Sequence, residues 1–332
     1  MPCYHPLKAV RLNNHLVEGK PKILFVKSYD HIEDSLSVEK LQIPCGQCLG
    51  CRLEYARQWA MRCYFESRQW QHNYFVTLTY DDMHLPLNDH VKVDEDTGEV
   101  VSSEVVATLA PRDLQLFMKQ LRVNHKRKYD CENVRFFACG EYGPKNMRPH
   151  YHLILFNCPL FDLKLEKVEN GYTYYRSAYI EKLWGKGFVL ITDFSYQTAG
   201  YVARYMLKKH KGRDAFFYED RGIFPEFVRC SRRPGIGRDY FEQNKDNIYK
   251  TDEVFIPQRN SSPIKSKPPK YYDNIFGLEN PEDLEYIKYR RKETALNSMD
   301  KVLDHTDLTS DEYLSVKEQN KACVIRKLKR SV

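Results

Sequence analysis

The sequence predicts an α+β fold, with a mainly antiparallel central sheet and flanking helices. Three observations carry it. Short runs rich in aromatic and β-branched residues at 74–80, 134–141, 150–156 and 187–194 read as strands. Segments 52–70, 112–126 and 197–209 place their apolar residues near helical spacing. The runs ending at Glu141 and starting at His150 are joined by Tyr142-Gly143-Pro144-Lys145-Asn146-Met147-Arg148-Pro149, whose Gly and Pro favour a turn and hence an antiparallel pair.

With 332 residues the chain suits one large or two small domains, and the core can be substantial. A formal charge of +7, with 52 Lys and Arg beside 13% aromatic residues, suits phosphate contact and base stacking. No apolar run approaches the roughly 20 residues of a membrane span. Met1-Pro2-Cys3-Tyr4-His5 is no signal peptide, so a soluble intracellular protein with reduced thiols is expected. No Gly-x4-Gly-Lys-[Ser/Thr] occurs, so a P-loop and a built-in helicase are not expected.

Taken in order, the first feature is Cys45-Gly46-Gln47-Cys48-Leu49-Gly50-Cys51, a Cys-x2-Cys-x2-Cys run. Three thiolates and one further ligand suit tetrahedral zinc, and Cys3 or His5 would complete the site; three free thiols in a Gly-rich turn is the alternative. Cys63 is a poorer fourth ligand, because twelve helical residues place it roughly 18 Å from Cys51. Residues 52–70 form an amphipathic helix through Leu53, Ala56, Trp59, Ala60 and Cys63, and 74–80 a strand. Between Leu87 and Val105 the acidic Asp94 to Glu99 sits between Val-rich flanks, which predicts an exposed hairpin excursion. Pro111 opens the next helix, with Leu114, Phe117, Met118 and Leu121 as its buried stripe and a basic end at 125–128.

Along 150–156 side chains alternate, so His150 and His152 share one face while Tyr151, Leu153 and Leu155 take the other. Antiparallel pairing brings Glu141 across from them, giving a two-histidine, one-carboxylate site; hydrogen-bonded strand histidines are the plainer reading. Asn170-Gly171 signals a hairpin turn, Ser177 caps a short helix, and 187–194 follows as a strand. In Tyr201-Val202-Ala203-Arg204-Tyr205-Met206-Leu207-Lys208-Lys209, Tyr201, Tyr205 and Lys208 fall on one helical stripe flanked by Arg204, with Val202, Ala203, Met206 and Leu207 opposite. Further on, the glycines of Arg229 to Arg238 free backbone amides that could hold phosphate, beside Arg232, Arg233 and Arg238, with a solvated loop as the equal alternative. Residues 258–272 shift to Ser, Pro and Lys and read as a linker, and 281–332 as a charged helical appendage. The expected divisions are 1–51, a cysteine-bearing segment; 52–257, a catalytic domain; and 258–332, linker and appendage.

Three ordered motifs carry a family likeness: Phe75-Val76-Thr77-Leu78-Thr79-Tyr80; Glu141 with Pro149-His150-Tyr151-His152-Leu153; and Tyr201-x-x-x-Tyr205. They resemble the motifs of the His-hydrophobe-His (HUH) rolling-circle replication initiators. Within that class the chain resembles the replication initiation proteins of gokushoviruses, small single-stranded DNA microviruses of bacteria. The likeness runs from Pro44 to Gly237, and Tyr151 departs from it by placing an aromatic in the hydrophobe slot. It implies an endonuclease that nicks single-stranded or origin DNA, holds a 5′-phosphotyrosine link and later rejoins the strand.

On this reading Glu141, His150 and His152 hold Mg²⁺ or Mn²⁺, Tyr201 and Tyr205 are nucleophiles, and Lys208 assists proton transfer. Arg204, Lys209, Arg232, Arg233 and Arg238 are the expected DNA contacts. The implied partners are the viral replication origin and the host helicase and replication proteins, in the bacterial cytoplasm. A non-catalytic nucleic-acid-binding protein built on the cysteine cluster and basic helices is the chief alternative, and a two-histidine, one-carboxylate iron oxygenase another.

Overall fold

The computed structural model describes residues 3–33, 35–94, 96–144, 146–205, 215–258 and 262–327, with only the backbone of Ala203, Arg204, Tyr205 and Lys327. The chain forms two compact units, residues 1–55 with 285–332, and residues 56–284. The sequence divisions differ from these at both ends. The expected linker instead contains strand β14 and the start of a helix, and Tyr272 within it is fully buried against Phe241.

In the first unit β1 (Leu7–Val17) lies between β2 (Lys20–Phe25) and β3 (Val38–Ile43) in an antiparallel sheet of order β2-β1-β3. Glu18 and Gly19, both at positive φ, make the tight β1–β2 turn. The sequence reading gave this region no strands. Its apolar pattern is weak because the outer half of β1 and nearly all of β2 face solvent. Helix α1 (Leu49–Ser67) starts three residues earlier than expected, so Cys51 sits in its first turn.

The second unit is built on a seven-stranded antiparallel sheet. Its members are β4 (Tyr74–Thr79), β7 (Arg135–Tyr142), β8 (Pro149–Phe156), β9 (Lys164–Glu169), β10 (Tyr172–Arg176), β11 (Val189–Asp193) and β12 (Phe227–Cys230). Their order is β12-β7-β8-β4-β11-β10-β9. Strands β5 (Leu87–Val93) and β6 (Val100–Ala107) pair separately as the expected hairpin excursion. Asn170 and Gly171, both left-handed, turn β9 into β10, and the Ser177 hydroxyl accepts from the Ile180 amide to cap α3 (Ala178–Trp184).

Strand alternation gives the sheet two apolar faces. On one, Val76, Leu78, Leu153 and Leu155 pack with Leu114, Phe117, Met118 and Leu121 of α2 (Pro111–Tyr129) and with Ile180 and Trp184 of α3. On the other, Phe75, Phe137, Ile154 and Phe156 meet Ala56, Ala60 and Cys63 of α1 and Ala199 and Val202 of α4 (Tyr196–Tyr205). Helix α5 (Phe216–Glu219), α6 (Arg238–Thr251), the β13 (Val254–Ile256) and β14 (Ile264–Ser266) pair, and α7 (Lys270–Glu279) follow. Helix α8 (Pro281–Leu303) and α9 (Ser310–Lys327) end the described chain. No helix among the described residues is long and apolar enough to cross a membrane.

Glu66 explains the glycine-rich turn after β12. Its buried carboxylate pairs with Arg135 and accepts the Gly237 amide at 2.7 Å. Gly237 is left-handed, and a Cβ there would stand 2.8 Å from the Tyr272 hydroxyl. The expectation that this turn offers its amides to phosphate therefore fails at Gly237, whose amide is bound inside the protein.

Candidate metal and nucleophile site

Strands β7 and β8 pair with Glu141 directly opposite His150 and Cys139 opposite His152, and β4 brings Thr77 opposite His152. One oxygen of Glu141, Oε1, lies 2.7 Å from His150 Nε2 and 3.3 Å from His152 Nε2. The far ring nitrogens are held too. His150 Nδ1 lies 3.1 Å from the Arg148 carbonyl and His152 Nδ1 3.0 Å from the Thr77 hydroxyl. A carbonyl can only accept, so His150 carries a proton on Nδ1, and its Nε2 meets the carboxylate, itself an acceptor, either as a second N–H donor or as a lone pair. Two facing acceptors are stable when a proton or a cation lies between them.

Glu141 and His152 are almost wholly buried and His150 keeps a sliver of exposure. Burial alone would raise the Glu141 carboxyl. The hydrogen bonds and positive charge of the two histidines overcome that and draw it down to about 2. The three ligand atoms lie within 4.8 Å of one another, so the group can hold a metal ion, and two imidazoles with one carboxylate leave coordination positions open on it.

Helix α4 borders this group. The Tyr201 ring lies edge-on to His152, centroids 5.7 Å apart, and edge-on to Phe75 at 6.0 Å, while Phe75 stacks on His152 at 5.4 Å. Tyr201 thus packs partly on the apolar cluster, whereas the helical stripe placed it off the apolar face; it sits on the border, with Ala199 and Val202 turned fully inward. The Tyr205 backbone closes the helix as described, its side chain and that of Arg204 lie outside the described residues, and so do Lys208 and Lys209.

The remaining expected residues are not gathered here. Cys230 pairs with Phe137, so the turn bearing exposed Arg232 and Arg233 leaves the sheet at the end of β7 opposite Glu141, and Arg238 pairs with Glu242. Cys3, Cys45, Cys48 and Cys51 form a second group able to hold a metal, in the other unit. His5 is not part of it and bonds Glu318.

Sequence reasoning missed Thr77 as the partner of His152, although its same-face alternation with Phe75 and Thr79 was in view. It also gave Tyr151 no role. That side chain is fully buried on the reverse face, where its hydroxyl lies 2.9 Å from that of Tyr80 and from the Ala110 carbonyl and accepts from the Ala110 amide at 3.0 Å. The aromatic in the slot between the histidines fastens the start of α2.

Fold and site together define an α+β protein whose antiparallel sheet presents a carboxylate and a His-x-His pair to a tyrosine-bearing helix. Residues 73–210, which include all of those groups, match the family described as Replication-associated protein ORF2/G2P. The chain is 34% identical to Replication-associated protein ORF2 of Spiroplasma virus 4, over 99% of this chain and 98% of that one. It is 32% identical to Replication-associated protein VP4 of Bdellovibrio phage phiMH2K, over 89% of this chain and 84% of that one. It is 30% identical to Replication-associated protein ORF4 of Chlamydia phage 1, over 74% of this chain and 56% of that one. No solved structure matches the chain significantly. The chain belongs to the family of phage replication-associated proteins, the class its ordered motifs resemble.

Proposed function

We propose that this protein initiates rolling-circle replication by cutting single-stranded DNA at the phage origin with a tyrosine. The observation that carries the reading is the Tyr201 ring set against His152, whose Nε2 shares the Glu141 oxygen with His150. When bound by Glu141, His150 and His152, Mg²⁺ or Mn²⁺ would withdraw charge from a scissile phosphate.

The chain's own residues do the rest. The Tyr201 oxygen forms a bond to phosphorus as the bond to the 3′-oxygen breaks. The phenol proton is relayed through Lys208, whose ammonium gives a proton to the departing 3′-oxygen as it takes the phenol's, and the 3′-oxygen becomes a hydroxyl. A phenol near pKa 10 needs that assistance at neutral pH. The 5′ end remains esterified to the tyrosine, so the bond energy is kept for rejoining. Tyr205, one turn further along α4, supplies a second nucleophile for the closing transfer. Arg204, Lys209, Arg232, Arg233 and Arg238 contact DNA phosphates, and the host helicase and replication proteins act with it in the cytoplasm of the infected bacterium.

The test is full-length protein with Mn²⁺ and circular single-stranded phage DNA, followed by denaturation, nuclease digestion and mass spectrometry. A nucleotide covalently attached to a tyrosine is expected. Cleavage without any protein adduct would replace this reading with a hydrolytic nuclease, and DNA binding without cleavage would favour the non-catalytic one.

A further inference from the structure

We propose that Cys3, Cys45, Cys48 and Cys51 bind one structural zinc ion that clips the open end of the β1–β3 ladder to the start of α1. The geometry is that of a tetrahedral thiolate site. Zinc–sulfur bonds of about 2.3 Å set the edge of an S₄ tetrahedron at about 3.8 Å. The Cys3 sulfur lies 3.6 Å from that of Cys45 and 3.8 Å from that of Cys48, and all four sulfurs lie within 4.8 Å of one another. A disulfide needs about 2.05 Å, and none of the four cysteines is in one.

The surrounding backbone supports anionic sulfur. The Cys45 amide donates to Cys3 Sγ at 3.3 Å, the Cys48 amide to Cys45 Sγ at 3.3 Å, and the Tyr4 and Cys51 amides to Cys48 Sγ at 3.3 and 3.4 Å. Amides aimed at sulfur suit thiolates better than thiols, which accept hydrogen bonds weakly. The choice between Cys3 and His5, open in the sequence, falls to Cys3. The His5 ring is instead engaged with Glu318, whose other carboxylate oxygen accepts the Leu49 amide at the start of α1.

The ion has a structural task to do. Leu7 pairs with Ile43, so Cys3 and Cys45 extend just beyond the end of that ladder. Among the described residues of this unit, the buried apolar side chains are Tyr4, Ala9, Val10 and Leu314. So small a core needs another source of stability, and the binding energy of a structural zinc is folding energy. The site stands apart in sequence from the 73–210 segment that carries the catalytic reading, and neither depends on the other.

The experiment uses full-length protein purified under reducing conditions, with metal content measured by elemental analysis. About one zinc per chain is expected, retained in His5→Ala, Cys323→Ser and the His150→Ala/His152→Ala double variant, and lost in Cys3→Ser and Cys45→Ser/Cys48→Ser. Should the cysteine variants fail to fold, a thiol-binding mercurial added to the wild type must still release that zinc to a colorimetric indicator. Cobalt exchanged into the wild type must also show sulfur-to-metal charge-transfer absorption. A protein without zinc, one holding iron instead, or zinc that survives loss of Cys45 and Cys48 would overturn the proposal.

Discussion

Glu141 and His150 face each other across the β7–β8 ladder, and the carboxylate oxygen that touches His150 is the same one that touches His152. A single oxygen between two imidazole nitrogens is the donor arrangement expected of a shared ion. Substituting Glu141→Gln, which keeps the shape and removes the charge, is expected to lower strand cleavage by about 100-fold or more. His150→Ala and His152→Ala should do the same, with DNA affinity little changed because the proposed DNA contacts are basic residues outside this group. Thr77→Val, which removes the hydroxyl beside His152 Nδ1, should weaken Mn²⁺ binding by about tenfold, measured calorimetrically without DNA. Cleavage at the wild-type rate in Glu141→Gln would remove the ion from the mechanism.

Two tyrosines on one helix call for a division of labour. Tyr201→Phe and Tyr205→Phe should each keep some cleavage of a single-stranded oligonucleotide, the double variant should keep none, and both single variants should fail to release closed circles. Phenylalanine preserves the ring that packs on His152 and Phe75, so lost packing does not confuse the outcome. A covalent adduct in the double variant would place the nucleophile elsewhere.

Tyr151→Phe separates architecture from chemistry. The substitution leaves the Ala110 amide without its buried acceptor, so unfolding stability should fall by about 1–3 kcal/mol in urea titration. Cleavage by the folded variant should stay within a few-fold of wild type, since the hydroxyl points away from the ion group. A large loss of activity with unchanged stability would show that the reverse face does more than support.

His125 makes the fold sensitive to acid. It is fully buried, with its nitrogens near the carbonyls of Leu121 and Pro159, and burial lowers its pKa below the ordinary 6.5, outweighing those hydrogen bonds, while Lys128 lowers it further. The unfolded chain therefore takes up this proton before the folded one does. The contribution is intact above pH 6.5 and is lost as pH falls below it, by up to about 1.4 kcal/mol per unit until the folded pKa is reached. Urea midpoints at pH 7.5 and 5.5 should drop more for the wild type than for His125→Gln. Equal drops would assign the acid sensitivity to other groups.

The sheet and site were legible where the pattern was local. Alternation put His150 and His152 on one face, and the short turn after Glu141 fixed its register opposite them. The N-terminal sheet was not legible, because solvent-facing strands carry little apolar alternation. The Gly237 turn misled for another reason: glycine there answers the close approach of the Tyr272 hydroxyl and the reach of the Glu66 carboxylate, contacts distant in sequence. Tyr151 read as a mild departure from a motif because its partner, the Ala110 backbone, has no side-chain signature.

The anchoring of Tyr151 also guards against misfolding. Consecutive residues of β8 serve opposite faces, so a strand that paired one position out of register would carry both histidines into the layer beneath α2 and the phenol to the ion side. Buried imidazoles would then lack Glu141 and Thr77, and the start of α2 would lose its fastening in the same step. A slipped chain would thus lose the Glu141, His150 and His152 group and the Tyr151 fastening together, which disfavours a compact state in the wrong register.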